Sequence, residues 1–304
     1  MGNFSGTWQR SKRAVAKEEY INQQVWQFGG VRPFYPTGKD RAISIAFQSM
    51  LTVAVILGMY VFWDVKWTNV QADAIQSDVA QSLDQSWQEQ GEGAQDVDPA
   101  VVDEGTALAH MYIPAFNSGD TVWDYVVVNG TSGDSLMAGP GYYTGSQRFG
   151  ERGNAGIAGH RDGRGAPFHD LDKLATCDTI AIETATQWHI YKVLPTGEDY
   201  VEGEELSGAM TDCVPYEVSS QLTTPMYFNL AGREITTPED VDVLAPVPNK
   251  PAVAPGNAGL SMLTLTTCHP IWSNAQRMII HAVLAESIDK KDHAQDFVPA
   301  DVAA

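Results

Sequence analysis

The stretch Thr264-Leu265-Thr266-Thr267-Cys268-His269-Pro270, with Arg277 nine positions after the cysteine, sets a thiol at the end of an apolar, β-branched run and a permanent cation one short loop later. Residues 260–267 alternate and are rich in Leu and Thr, and residues 278–284 form a second apolar run, so two antiparallel strands joined by a hairpin loop are predicted. That pairing brings Cys268 and Arg277 to the same rim of a sheet, where sites usually sit. A thiol attacks only as thiolate, and at its ordinary pKa only a few per cent is ionised near neutrality. Neighbouring positive charge favours the reactive form, whereas apolar surroundings leave a cysteine as an inert small hydrophobe.

A second piece stands upstream in Gly153-Asn154-Ala155-Gly156-Ile157-Ala158-Gly159-His160-Arg161. A small-residue strand runs straight into His160 and then into the loop Asp162-Gly163-Arg164-Gly165, which puts an imidazole at another strand end, as a general acid/base requires. Four further fragments complete a pattern: Gly139-Pro140-Gly141-Tyr142-Tyr143, Ala166-Pro167-Phe168, Leu171-Asp172-Lys173-Leu174 and the arginine at 277. In this order the motifs resemble those of sortases, the membrane-anchored cysteine transpeptidases of Gram-positive cell walls, and most closely class E, the housekeeping type. The resemblance spans residues 106–286. It implies a mainly β fold, a closed sortase-type antiparallel β-barrel with short helices, here preceded by one transmembrane helix and a helical stalk. It also implies Cys268 as nucleophile, His160 as acid/base and Arg277 as oxyanion partner. Tyr142, Tyr143, Thr266 and Thr267 are then candidate substrate-binding residues. For the two tyrosines the alternative is a tight turn with packed aromatics.

Residues 43–63 are 21 positions without a charge, and as a helix they span roughly 30 Å, the depth of a bilayer core. Residues 1–42 carry seven Lys/Arg and three acids, and residues 64–304 carry twelve and thirty-five. The positive-inside rule therefore orients the N-terminus to the cytoplasm and the large domain outside. Tyr60, Trp63 and Trp67 suit the outer interface. A cleaved signal peptide is the rival reading, since Ala72-Asp73-Ala74 matches a cleavage site, but the apolar run is long for that role and ends well before it. The net charge of −19 argues against nucleic acid as a partner, because phosphate binding needs clustered Lys/Arg.

The expected organisation is a basic cytoplasmic segment (1–42), the membrane helix (43–63), an extracellular stalk and acidic linker (64–105), the catalytic barrel (106–286) and a charged, disordered tail (287–304). The stalk is predicted as an amphipathic helix through Val70, Ile75, Val79, Leu83 and Trp87. Strands are predicted at 109–113, 121–128, 155–159, 179–183, 188–194, 233–236, 241–244, 260–267 and 277–285, with 198–232 as an insertion between barrel strands.

Three cysteines in an exported chain suggest one pair and one reactive thiol. Cys268 is the odd one out, and Cys177 and Cys213 either form a disulfide that ties the insertion to the barrel or remain two separate thiols. Among the other histidines, His269 follows Cys268 directly and so faces the opposite side. His281 shares the strand face of Arg277, and His169 lies in the loop after His160; either reads as structural or as a substrate contact. Arg161 and Arg164 read as shaping that loop. No metal-ligand spacing is visible, and neither a metal nor a cofactor is expected. The partners implied by the resemblance are surface proteins bearing an LPXTG-like or LAXTG-like sorting signal, cleaved after Thr, and the amine of lipid II or its stem peptide. A different cell-wall cysteine peptidase, or a non-enzymatic β-domain displayed on a stalk, are the alternatives.

Overall fold

The computed structural model describes residues 38–200, 207–293 and 297–303. The chain divides into one unit ending at Phe62 and a second running from Trp63 to the C-terminus. The expected cytoplasmic segment lies outside the described residues except for its last five positions.

Helix α1 (Gly38–Gln90) carries an 18-residue window with mean hydropathy 2.0, none of it buried. By length and composition it is long and apolar enough to cross a membrane. The strands follow as β1 (Ala107–Tyr112), β2 (Asp124–Asn129), β3 (Gly141–Tyr142), β4 (Gly153–Ala158), β5 (Thr179–Glu183), β6 (Gln187–Val193), β7 (Arg233–Thr236), β8 (Ser261–His269) and β9 (Gln276–Asp289). Short helices α2 (Gly133–Ala138), α3 (Ser207–Met210), α4 (Tyr216–Leu222) and α5 (Ala300–Ala303) decorate them.

Eight strands close into a barrel in the order β6-β5-β1-β2-β3-β4-β8-β9, with β9 returning to β6. Closure depends on the length of β9. Its N-terminal half pairs with β8 on one edge and with β7 on the other, and its second half pairs with β6. Alternation then sorts the side chains: Leu263 and Leu265 of β8, Ile157 of β4 and Ile280 of β9 point into the barrel core, while Thr264, Thr266 and Cys268 face outward. Two ladders depart from the antiparallel expectation, β2–β3 and β4–β8, both parallel. The long excursion through β5, β6 and the insertion returns the chain in the same sense, so β4 and β8 end at the same rim.

The insertion packs Met210, Leu222 and Tyr227, together with Val247 beyond it, as a second apolar cluster against Met262 and Val283 on the outer barrel face. Cys177 and Cys213 are joined by a disulfide that fixes it to the barrel; residues 201–206 lie outside the described set. Gly232 admits no side chain, because a Cβ there would fall 1.9 Å from the Leu194 carbonyl oxygen. Residues 242–244 form a 3-10 turn instead of the expected strand; the Asp242 carbonyl accepts from Ala245 N and Asn249 N, and the Val243 carbonyl from the Asn154 side chain. The tail is not wholly disordered. β9 continues to Asp289, α5 buries Val302 beside Trp188 and Ile190, and Asp301 pairs with Lys192 at 2.9 Å. Its charges conceal these apolar anchors from a compositional reading.

The stalk is not free-standing. Residues 69, 72, 76, 79, 83 and 87 of α1, at steps of three or four residues, form the face turned to the barrel, with Ala72 and Leu83 buried. Val70, expected on that face, is 63% exposed. The Gln76 side chain accepts from Val126 N at 2.9 Å and donates to Val126 O at 3.1 Å, standing in for a strand along an edge that two-residue β3 leaves open. Farther along, His110 lies 3.2 Å from Asp84 of α1 and 2.9 Å from Asp124, with Trp87 against its ring. The acidic linker is fastened as well, with Asn129 Nδ2 donating to the carbonyls of Pro99 and Val102.

Burial opposes charging of His110, but Asp124, then Asp84 and Glu183, outweigh it and hold its pKa above the ordinary 6.5. The charged imidazole therefore contributes stability that is complete below pH 6.5 and is lost as pH rises through the raised value. Melting temperature should fall across that window, and His110→Gln should flatten this part of the curve. Separately, reducing the Cys177–Cys213 bond, which closes a 36-residue separation, should lower stability by about 2–4 kcal/mol in denaturant titrations run with and without reductant.

Candidate active site

Three adjacent strand ends meet at one rim. Cys268 is the cross-strand partner of Arg277 in the β8–β9 ladder. On the other side of β8, Ala158 is level with Thr266 and Gly159 N donates to Thr266 O at 3.0 Å. Continuing that parallel register by two residues brings His160 level with Cys268. The outer-face row is thus His160, Cys268, Arg277, with both strand neighbours of the thiol bearing a base or a cation. Cys268 is the one free cysteine and is partly exposed.

Each member is held by its surroundings. Thr267 donates its hydroxyl to Gly159 O at 2.8 Å, tying the end of β4 to β8 one residue before each functional side chain. Arg277 Nη1 donates to the carbonyls of Asn274 at 3.1 Å and Gln276 at 2.9 Å, which curls the guanidinium over its own loop. His160 is half-buried, and its Nε2 lies 3.4 Å from Arg164 Nη1. A guanidinium only donates, so Nε2 accepts and the ring proton sits on Nδ1. Burial first, and the Arg164 charge second, push the pKa of His160 below 6.5 against a smaller opposing pull from Asp162.

Below this row the outer face carries Gly156, Ala158 and Thr266, all three buried; Tyr143 and Leu244 stand over Gly156, where a Cβ would come within 2.9 Å of both. Tyr143 and Thr266 share a 2.9 Å hydroxyl–hydroxyl bond. Tyr143, partly exposed, remains a candidate substrate contact, and Thr266, itself only 4% exposed, lies beneath it. Tyr142 is not such a contact. It is 1% exposed, lies in the barrel core, and its hydroxyl donates to Ser146 O and Gln147 O. Thr267, 2% exposed with its hydroxyl spent on Gly159, also stands away from substrate and positions the two strand ends instead.

The remaining histidines separate cleanly. His269 Nδ1 receives Arg161 Nη1 at 2.7 Å, on the face away from the thiol. Arg161 is itself buried and reaches Asp172 at 3.2 Å, which braces the loop from beneath. His169 Nδ1 donates to Arg161 O. His281 is fully buried in a chain that was not legible from sequence. Thr264 Oγ1 donates to Asn154 Oδ1 and so accepts from His281 Nδ1; His281 Nε2 lies 2.9 Å from Glu234, which also accepts from Asn249. Asn154 Nδ2 then donates to the carbonyls of Val243 and Ala245. The segment carrying Leu244 is thereby moored at both ends, two rows below the thiol. Among the described residues no group of three His, Cys, Asp or Glu side chains is disposed to hold a metal ion.

Comparison with known proteins follows this geometry. The profile of the sortase domain family matches residues 111–285. Sortase SrtE2 of Streptomyces coelicolor is 28% identical over 261 residues, covering 82% of this chain and 85% of that protein. Sortase SrtE1 of the same organism is 27% identical over 257 residues, covering 81% of this chain and 57% of that protein. The structure of SrtF sortase from Corynebacterium diphtheriae superposes with a TM-score of 0.61 at 38% identity, over 69% of this chain and all of that one.

Glu234 supplies a test of the mooring. Burial alone would raise its pKa, but the hydrogen bond and charge of His281, with Asn249, bring it below the ordinary 4.5. Its contribution is therefore complete above about pH 4.5 and is lost as pH falls through the lowered value. Glu234→Gln should cost about 1–3 kcal/mol at pH 7 in urea unfolding, and the gap to the parent should close in acid.

Proposed function

The chain belongs to the sortase family of cysteine transpeptidases, and from that premise we propose that it is a membrane-anchored enzyme of the housekeeping type, in which Cys268, His160 and Arg277 join surface proteins to a cell-wall precursor. The observation that carries the residue assignment is the outer-face row of three strand ends, with the free thiol flanked by imidazole and guanidinium.

Cys268 passes its thiol proton to His160, and the thiolate attacks the threonine carbonyl carbon of an LPXTG-like or LAXTG-like sorting signal, forming a C–S bond and a tetrahedral oxyanion. Arg277, whose planar fork has N–H groups beyond the two engaged by its loop, donates to that oxygen as charge develops. As the C–N bond breaks, His160 gives its proton to the departing glycine amine, leaving a thioacyl enzyme. The amine of lipid II or its stem peptide then attacks the thioester, His160 takes the amine's proton, and the C–S bond breaks to restore the thiolate. Tyr143 and Thr266 line the path of the signal peptide. Their mutual hydrogen bond leaves each oxygen further capacity toward a backbone amide.

The anchor is the apolar part of α1, with the seven Lys/Arg of residues 1–42 on the cytoplasmic side and the acidic remainder outside. Trp63 and Trp67, stacked at 5.8 Å, mark its outer end. The domain plan is then cytoplasmic segment, membrane helix, docked stalk with linker, barrel, and a tail whose last residues rejoin the barrel.

The test is to incubate the protein with LAXTG and LPXTG peptides, with and without a small amine, and to weigh protein and peptides. A mass gain at Cys268 equal to the peptide cut after Thr is expected and should vanish in Cys268→Ala. Arg277→Lys should retain the fold and lose about 10²-fold in kcat, because a single ammonium cannot reproduce the forked donor set. Folded protein that forms no adduct and cleaves neither peptide would overturn the assignment.

A further inference from the structure

The loop after His160 has an unusual backbone. Gly163, Arg164, Gly165 and Ala166 all have positive φ, at 62°, 52°, 77° and 41°. Glycine adopts this region freely, but Arg164 and Ala166 do so against their Cβ atoms. Such a conformation persists only when the surroundings over-determine it. Here the surroundings converge on Gly165. Its N–H donates to Asn69 Oδ1 of α1 at 3.1 Å, and its carbonyl accepts from Tyr125 of β2 at 3.2 Å. The Cβ of Ala72, one of the two buried apolar residues of the docked helix face, lies 3.4 Å from where a Gly165 Cβ would be. The next residue back is Arg164, the one that meets His160.

We propose that the docked half of α1 is a positioning element of the active site: Asn69 and Ala72 hold Gly165, and so set Arg164 against the His160 imidazole. The inference rests on the reading of His160 as the acid/base. It makes the helix that leads out of the apolar span part of the apparatus that orients the proton-transfer group, so Asn69 acts through Arg164 without touching substrate. The charged and titratable groups facing His160 are Arg164 and Asp162 from its own loop, Cys268 from β8 and Arg277 from β9; Asp73 is the acid of α1 nearest the loop. Freeing the loop tip withdraws the Arg164 cation, and the imidazole then protonates more readily.

The experiment uses the full chain in detergent and follows the His160 imidazole by NMR titration, assigned with His160→Gln, alongside peptide kinetics. Asn69→Ala should move the His160 midpoint to higher pH and lower kcat about tenfold, with KM changed by less than about twofold. Asn69→Asp, which keeps an acceptor for Gly165 N–H, should restore most of both. Trp87→Ala loosens the far end of the same helix and should lower the melting temperature while leaving the midpoint in place. In an Arg164→Ala background, Asn69→Ala should add less than about twofold. An unchanged midpoint in Asn69→Ala, or an equal shift in Trp87→Ala, would overturn the proposal. Because the titration is read without turnover, absence of peptide transfer in the parent counts against the functional assignment while the midpoints still decide the positioning role.

Discussion

Everything in this molecule that concerns chemistry depends on the register between β4, β8 and β9. A strand places its side chains alternately on two faces, so a slip of one residue in either ladder would send Cys268 into the barrel or Arg277 and His160 away from it. The register is held redundantly. The inward rows of Leu263, Leu265, Ile157 and Ile280 bury themselves only in this alignment, and the hydroxyl of Thr267 locks the two strand ends just before their functional residues. The same stretch thus does two jobs by parity: even-numbered positions of β8 from 262 to 268 face outward, and the apolar odd-numbered ones build the core. The cost of misplacing the site is the cost of misplacing the core.

The outer face presents the opposite problem, because it has to be covered without stranding polar atoms. Fully buried His281 is acceptable there only because Thr264 and Glu234 take both ring nitrogens. The network also links β4, β8, β9 and β7 to the segment with Leu244, so the cover over Gly156 is fixed by hydrogen bonds to the strands that carry the row of His160, Cys268 and Arg277. The disulfide between Cys177 and Cys213 fastens the far side of the same covering layer.

Helix α1 extends that logic beyond the barrel. Gln76 replaces a missing strand at β2, Asp84 and Trp87 meet His110, and Asn69 reaches the loop of His160. A stalk needing only to hold the barrel away from a membrane has no use for such contacts. Their spacing along the helix face is that of an ordinary packed helix, which is why an amphipathic pattern was visible. The face was nevertheless misjudged at Val70, because its partners are backbone groups satisfied by Asn and Gln, and a hydrophobicity pattern does not weigh these.

Sequence alone set out the candidate catalytic residues and their local geometry. A thiol at the end of an alternating run, an arginine one hairpin loop later and a histidine after a small-residue strand are statements about strand ends, and period-two alternation makes strand ends readable. It also determined the apolar span and its charge asymmetry, since both are compositional. Tertiary structure decided what depends on contacts distant along the chain. It paired β4 with β8 in parallel across about a hundred residues, joined Cys177 to Cys213, put Tyr142 in the core while leaving Tyr143 partly exposed, and turned the charged tail back onto β5 and β6. Adjacent tyrosines look alike in sequence; which one is buried in the core is settled by how the strands pack, and that is a property of the closed barrel.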